Sequence, residues 1–222
     1  MYDCSTTDTY NCGVSLAKLR NEVDPSLMKN NLYIFDMGGV MTGSFWVWEN
    51  ICKTMGIPDA ENAAKRHGGL IDAACRGDIS SEECLALIAR REHCAEPKEN
   101  LWRSFFKPTV NTDTVRLVEE LRAAGNRVVC GTNVIDVHYD YHTEHGEYAC
   151  FDKVYASHLI RQIKPDITFW HCIKAAEKSY AFEDMFFFDD TEENVAAAQS
   201  LGIHAHRFTT ADDARAFIKS VQ

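Results

Sequence analysis

Residues 31–42, with the sequence NLYIFDMGGVMT, decide the fold of this chain. Four consecutive bulky residues, 32–35, predict a short strand that is buried on both faces. Asp36 follows at the point where that strand should end. A buried carboxylate is costly unless a cation or hydrogen bonds compensate its charge. Asp36 is therefore either paired structurally or held ready for chemistry.

The size and charge of the chain restrict the class of protein. Its 222 residues can form one large domain, or a core domain with a smaller insert. A net charge of -10, from 33 acidic and 23 basic residues, argues against broad attraction to nucleic acid or to an anionic membrane. No apolar run could span a bilayer, and the first residues, MYDCSTTDTYNCG, do not resemble a signal peptide. We therefore expect a cytoplasmic protein that binds neither nucleic acid nor membrane.

The cysteines give little indication of a chemical role. There are nine of them, an odd number, and no two have CxxC spacing. This pattern does not favour a disulfide framework or a thiolate zinc site, so we expect free thiols in a reducing compartment.

Periodicity divides the chain into an extension, an insert and a core. Residues 1–30 precede the first strand and carry leucines and a valine at helical spacing. Residues 44–107 have helical periodicity with hardly a strand candidate, and Ser80 and Glu83 have the spacing of a capping box. We expect 44–107 to be a small helical cap. The core would then comprise residues 31–43 and 108–222.

Strand and helix patterns alternate in the second part of the core. A helix capped by Thr112 or Asp113 should end at Ala124–Gly125. Strands are predicted at 127–132, 153–157, 185–190 and 203–208, with helices after Pro165 and through Ala198. This alternation predicts an α/β fold with a Rossmann-like parallel sheet and helices on both faces.

Polar residues cluster at the carboxyl ends of the predicted strands, where such sheets form their sites. They are Asp36, the pair Thr132–Asn133, and the pair Asp189–Asp190, with Lys164 just before a helix. The three aspartates cannot all be ionised at close range without a cation, and an all-oxygen cluster suits Mg²⁺. Thr132 and Lys164 could hold an anion beside the metal. The combination indicates phosphoryl transfer through an aspartyl-phosphate intermediate.

The sequence resembles the haloacid dehalogenase superfamily of phosphohydrolases. Four motifs carry the resemblance, in order and at family-like spacing: YIFDMGGV, VVCGTN, the lysine of QIKPD, and FFFDDTEENVAAAQSLG. The resemblance covers nearly everything from about Leu32 to Phe208. The subfamily that it resembles has a helical cap between the first two motifs, and GDISSEECL is similar to a stretch common in those caps.

The resemblance implies a role for each of these residues. Asp36 would be the nucleophile, Thr132 and Asn133 would bind phosphoryl oxygens, and Lys164 would neutralise charge on the phosphoryl group and on Asp36. The implied Mg²⁺ ligands are Asp36, the Gly38 backbone carbonyl, Asp189 directly and Asp190 through water. Asn194 would help to set the geometry of that loop.

Gly38 departs from the family pattern, in which most phosphatases have a second aspartate as general acid and base. Glycine keeps the backbone carbonyl but loses the acid, whose help is typically worth about 10² to 10⁴-fold in rate. Family members similar to glucose-1-phosphate phosphatase also have glycine here, so the loss should be tolerated. A histidine or aspartate from the segment of His138, Asp140 and His142 is a hypothetical substitute. The spacing of its two histidines alone does not predict a zinc site.

The leading hypothesis is a Mg²⁺-dependent phosphatase that acts on a small phosphorylated metabolite, with sugar phosphates among the candidates. One alternative is a 2-haloacid dehalogenase, which also lacks the second aspartate but needs no metal, so the Asp189–Asp190 pair argues against it. The other is a catalytically weak binding or regulatory protein that kept the pocket.

Overall fold

The computed structural model describes residues 30–43 and 47–221. Its sheet has five strands: β1 (Leu32–Phe35), β2 (Arg127–Thr132), β3 (Lys153–Ala156), β4 (Met185–Asp189) and β5 (His204–Arg207). All neighbouring strands are parallel, in the order β3-β2-β1-β4-β5. The predicted Rossmann-like parallel sheet is therefore confirmed. The helical pattern predicted within residues 1–30 lies outside the described residues.

Helices lie between and after these strands. They are α1 (Val47–Met55), α2 (Ala60–Cys75), α3 (Ser81–Arg91), α4 (Leu101–Phe105), α5 (Thr112–Ala123), α6 (Asp136–Glu144), α7 (Ser157–Ile160), α8 (Thr168–Ala176), α9 (Glu192–Gln199) and α10 (Ala211–Val221). None of the helices in the described ranges is long and apolar enough to cross a membrane.

Two hydrophobic clusters cover the two faces of the sheet. Tyr33 and Phe35 of β1 pack in one cluster, to which α5 and α10 contribute. The alternate residues Leu32 and Ile34 point to the opposite face and pack in the other cluster, to which α8 and α9 contribute. Since side chains alternate along a strand, this arrangement explains why β1 is apolar at every position.

The insert between β1 and α5 is helical, as predicted. Helices α1 to α4 lie there, and the described part of 44–107 contains no strand. The Ser80 side chain accepts a hydrogen bond from Glu83 N at 3.1 Å and so caps α3. The helices share a third hydrophobic cluster, which Ile135 of the core also joins. The division into a cap at 44–107 and a core at 31–43 and 108–222 stays a prediction.

Some predicted boundaries are wrong by a residue or more. Asn111 caps α5, not Thr112 or Asp113, because the Asn111 side chain accepts from Thr114 N at 3.3 Å. Strand β3 ends at Ala156 because Ser157 begins α7. Strand β4 ends at Asp189, and β5 is shorter than predicted at both ends. The cysteines that the structure describes are all free, as expected.

Candidate active site

The register of the sheet brings the first and fourth motifs together. Phe35 of β1 pairs with Phe188 of β4, and the Asp36 backbone N–H donates to the Phe188 carbonyl at 2.9 Å. On its other side, Phe35 pairs with Cys130 of β2. Asp36 thus leaves the sheet between the ends of two strands, one of which ends in Asp189.

Lys164 joins the two carboxylates. Its Nζ atom lies 2.6 Å from Asp189 Oδ2 and 2.9 Å from Asp36 Oδ1, and it donates to the Gly131 carbonyl at 2.9 Å. The lysine is buried, as are both aspartates. The contact with Asp36 has the distance of an ion pair. Lys164 thus pairs its ammonium with both carboxylates.

Burial and neighbouring charges have opposing effects on the pKa values of Asp36 and Lys164. Burial raises the pKa of Asp36 to about 6, with the Lys164 charge lowering it and the Asp189 charge raising it again. Burial disfavours the charged form of Lys164, but the two carboxylates outweigh burial and raise its pKa above the usual value. Lys164 is therefore an ammonium at neutral pH.

Asp189 is held by hydrogen bonds from the loop that follows it. Its Oδ1 accepts from Thr191 N at 2.9 Å, and Asn194 Nδ2 donates to Oδ1 and Oδ2 at 3.0 and 3.1 Å. With the bond from Lys164, these contacts fix the orientation of a fully buried carboxylate. The structure thus places Asn194 against Asp189, at the start of α9.

The glycine pair has two different environments. Gly39 has φ 74°, and a Cβ there would lie 2.3 Å from Asp190 Oδ2. The Asp190 carboxylate therefore occupies the space that a side chain at Gly39 would need. At Gly38, a Cβ would meet none of the described residues within 4 Å. Steric crowding therefore does not require a glycine at position 38.

Asn133 binds the loop that carries Lys164. Its Nδ2 donates to the Lys164 carbonyl at 2.8 Å, and its Oδ1 accepts from Lys164 N at 2.9 Å. Thr132 is buried at the end of β2, with its hydroxyl 3.5 Å from the Asn133 carbonyl. Sequence reasoning missed this use of the Asn133 amide. Its only sequence signal is an amide residue directly after a strand.

The carboxylates fit a divalent cation. Asp36, Asp189 and Asp190 offer oxygen atoms that all lie within 4.8 Å of one another. Burial and the nearby Asp189 raise the pKa of Asp190, as expected when carboxylates share a site. One ammonium against three carboxylates leaves two negative charges uncompensated. An oxygen-only donor set with this charge suits Mg²⁺.

The histidine segment is engaged elsewhere. His138 Nε2 lies 3.1 Å from the Trp102 carbonyl, the ring stacks on Phe106 at 3.7 Å, and burial lowers its pKa to about 4. His142 Nδ1 contacts Glu147, and Asp140 is exposed. Among the described residues, neither histidine belongs to a group that could hold a metal. A proton-donating role for this segment stays a hypothesis.

Comparison with known proteins finds a similar sequence and several similar structures. No family model matches the chain. A sesquiterpene phosphatase of Aspergillus oryzae is 29% identical over 181 residues, which cover 77% of this chain and 85% of that protein.

Solved structures share the fold at lower identity. A HAD family enzyme from Bacteroides thetaiotaomicron has a TM-score of 0.68 at 21% identity, over 81% of this chain and 94% of that one. The same enzyme has been crystallised with magnesium and inorganic phosphate, with a TM-score of 0.65 at 20% identity over 82% and 96% of the two chains. The L-2-haloacid dehalogenase of Xanthobacter autotrophicus has a TM-score of 0.59 at 16% identity, over 80% and 76% of the chains. The chain therefore has the fold of the haloacid dehalogenase (HAD) enzymes.

Proposed function

We propose that this protein is a Mg²⁺-dependent phosphatase that hydrolyses a small phosphate monoester through an aspartyl-phosphate on Asp36. The observation that carries the proposal is the position of the Lys164 ammonium, between Asp36 and Asp189 and beside a third carboxylate. A nucleophilic carboxylate, a fixed cation and a site for a divalent ion are what phosphoryl transfer to an aspartate requires.

In this proposal Asp36 attacks phosphorus, and Lys164 neutralises charge on Asp36 and on the phosphoryl group. Thr132 binds a phosphoryl oxygen from the end of β2. Asn133 assists at the same place, where its amide also ties the Lys164 loop to that strand. These residues orient the phosphoryl group for attack along the free side of Asp36.

The residues proposed to hold Mg²⁺ are Asp36, the Gly38 backbone carbonyl, Asp189 and Asp190, with Asn194 supporting Asp189. When bound, the ion would neutralise charge on the phosphoryl oxygens and so favour attack by a carboxylate. The net negative charge of the described carboxylate cluster supports this assignment.

The substrate is proposed from chemistry and from similarity. Sugar phosphates stay candidates by resemblance, including those of glucose-1-phosphate phosphatase-like proteins. The similarity to a sesquiterpene phosphatase adds isoprenoid phosphates. Both classes belong in the substrate panel.

We also propose that residues 44–107 act as a cap that excludes bulk water from the reaction. Contacts between the insert and the core support this. Ser157 Oγ donates to the Cys75 carbonyl at 2.6 Å, and Arg161 Nη1 donates to the Gly77 carbonyl at 3.0 Å.

Phosphate release from a metabolite panel tests the proposal. The full chain should release phosphate with Mg²⁺ and lose the activity with EDTA. Asp36→Asn should abolish turnover, whereas Asp212→Asn, at a side chain that is 95% exposed, should leave it unchanged. Undiminished activity of Asp36→Asn would end the nucleophile assignment. Halide release from a 2-haloacid without Mg²⁺ would instead support the dehalogenase alternative.

A further inference from the structure

The charged groups of the site are already committed to other contacts. Lys164 lies between two carboxylates, and Asp189 accepts bonds from Lys164, Thr191 and Asn194. Asp190 belongs to the carboxylate cluster proposed to hold Mg²⁺, and its carboxylate lies over Gly39. Within the described part of the site, these residues leave no carboxylic acid or imidazolium free to give a proton to a leaving group.

Tyr148 is one further candidate donor near Asp36. Burial raises its pKa, and the charge of Asp36 is among the further causes. Among the described residues its buried hydroxyl has no hydrogen-bond partner, and its ring packs against the cluster that contains Phe35. A buried phenol that holds its proton so tightly is a poor acid at neutral pH.

The position two residues after Asp36 could hold a side chain but does not. A Cβ at Gly38 would meet no atom of the described residues within 4 Å, and its φ lies outside the left-handed region. As far as the described residues show, the space next to Gly38 is therefore open and holds no proton donor.

Without a proton donor beside the nucleophile, only certain leaving groups can depart readily from phosphorus. Attack by Asp36 forms a bond from its carboxylate oxygen to phosphorus, and the electron pair of the old bond leaves with the leaving oxygen. Without an acid, that oxygen departs as an anion. Water then supplies the oxygen that displaces Asp36, and its proton goes to solvent or to the product phosphate.

Leaving oxygens differ greatly in how well they carry that charge. Phosphate has a pKa of about 6 and a phenol one of about 10, while an ordinary alcohol is nearly as weak an acid as water and far weaker than either. On the basis of the phosphatase function above, we propose that the site takes phosphoryl compounds whose leaving oxygen is stable as an anion. Among the substrates of that phosphatase, monoesters of acidic hydroxyls and phosphoanhydrides, such as the terminal group of an organic diphosphate, are then hydrolysed faster than monoesters of ordinary alcohols.

The test is the dependence of kcat/KM on the leaving group, because kcat/KM reports the steps up to cleavage of the substrate. The probes are substituted phenyl phosphates of graded phenol acidity, butyl phosphate and butyl diphosphate. The proteins are the wild type, Gly38→Asp and Gly38→Ala. Phosphate release by the wild type, and its loss in Asp36→Asn, first establish that the proposed function holds.

We expect the wild-type kcat/KM to fall steeply as the leaving group becomes more basic. Gly38→Asp should raise kcat/KM for butyl phosphate by about 10² to 10⁴-fold and change it little for butyl diphosphate. Gly38→Ala, which fills the space without supplying an acid, should keep the steep dependence. Tyr148→Phe should keep it as well.

Two results would overturn the inference while leaving the phosphatase function in place. One is a wild-type kcat/KM that barely changes across the series. The other is a steeper dependence in Tyr148→Phe, which would identify that hydroxyl as the donor. If urea unfolding shows that Gly38→Asp does not fold, the leaving-group dependences of the wild type and of Tyr148→Phe decide the question without that variant. Absence of phosphate release from every probe would instead refute the proposed function itself.

Discussion

Replacing Lys164 by methionine should destabilise the metal-free protein strongly. The ammonium is 2.6 Å from Asp189 and 2.9 Å from Asp36, and all three residues are buried. Methionine keeps the apolar stem but leaves two carboxylates without their cation. Removing one partner of a buried ion pair typically costs about 3–5 kcal/mol. We expect a loss of that size in the free energy of unfolding.

Urea unfolding in EDTA at pH 7.5 measures this loss. Lys65→Met is the matched control, since Lys65 is 69% exposed and pairs with Glu61 one turn away. Such a pair contributes about 0.5 kcal/mol or less, so the control should unfold almost like the wild type. Added Mg²⁺ should restore part of the stability of Lys164→Met, because an ion that binds only the folded state stabilises it.

A double-mutant cycle separates charge from packing. If uncompensated charge is the cause, Lys164→Met should cost less in an Asp189→Asn background, with a coupling of about 0.5–3 kcal/mol. The loss should also shrink towards pH 4, where Asp36 is protonated, since its pKa is about 6. A loss below about 1 kcal/mol, or an equal loss in both backgrounds, would refute this reasoning.

Three further predictions concern the same site. Gly39→Ala, which places a methyl 2.3 Å from Asp190 Oδ2 at a positive φ, should cost about 1–3 kcal/mol in urea unfolding, while Gly38→Ala should cost much less. Without metal, the raised Asp36 pKa contributes stability that is fully present below about pH 4 and lost as the pH rises through 6. The loss should be on the order of 2–3 kcal/mol in urea unfolding from pH 4 to 8, and Asp36→Asn should remove it. Asn133→Ala, which removes two hydrogen bonds to the buried lysine's backbone, should cost about 1–3 kcal/mol and lower kcat/KM, and Asn133→Asp should recover part of both losses.

The sheet and the edge that carries the site were predictable from short-range patterns. Four bulky residues before Asp36 and four before Asp189 indicate buried parallel strands, and such strands end at a common edge. The capping of α3 by Ser80 was predictable too, because the cap and its bonding partner are three residues apart. Each of these features depends on neighbours in the sequence or on a general rule of sheet topology.

Contacts between distant loops were not predictable in this way. The pairing of Asn133 with the backbone of Lys164 joins residues 31 positions apart through a loop without regular structure. The approach of Asp190 to Gly39 depends on the left-handed conformation of that glycine. Asn111 was missed as the cap of α5 because three neighbouring polar residues can all cap a helix, and the local backbone decides between them.

Detection of a phosphorylated Asp36 tests the central claim most directly. The full chain is mixed with Mg²⁺ and the fastest substrate of the panel, quenched in acid within the first turnover, digested and analysed by mass spectrometry. We predict one phosphoryl group on the peptide that contains Asp36, absent from Asp36→Asn and from the sample without substrate. Phosphate release at the normal rate with no label on that peptide, together with turnover by Asp36→Asn, would contradict the account.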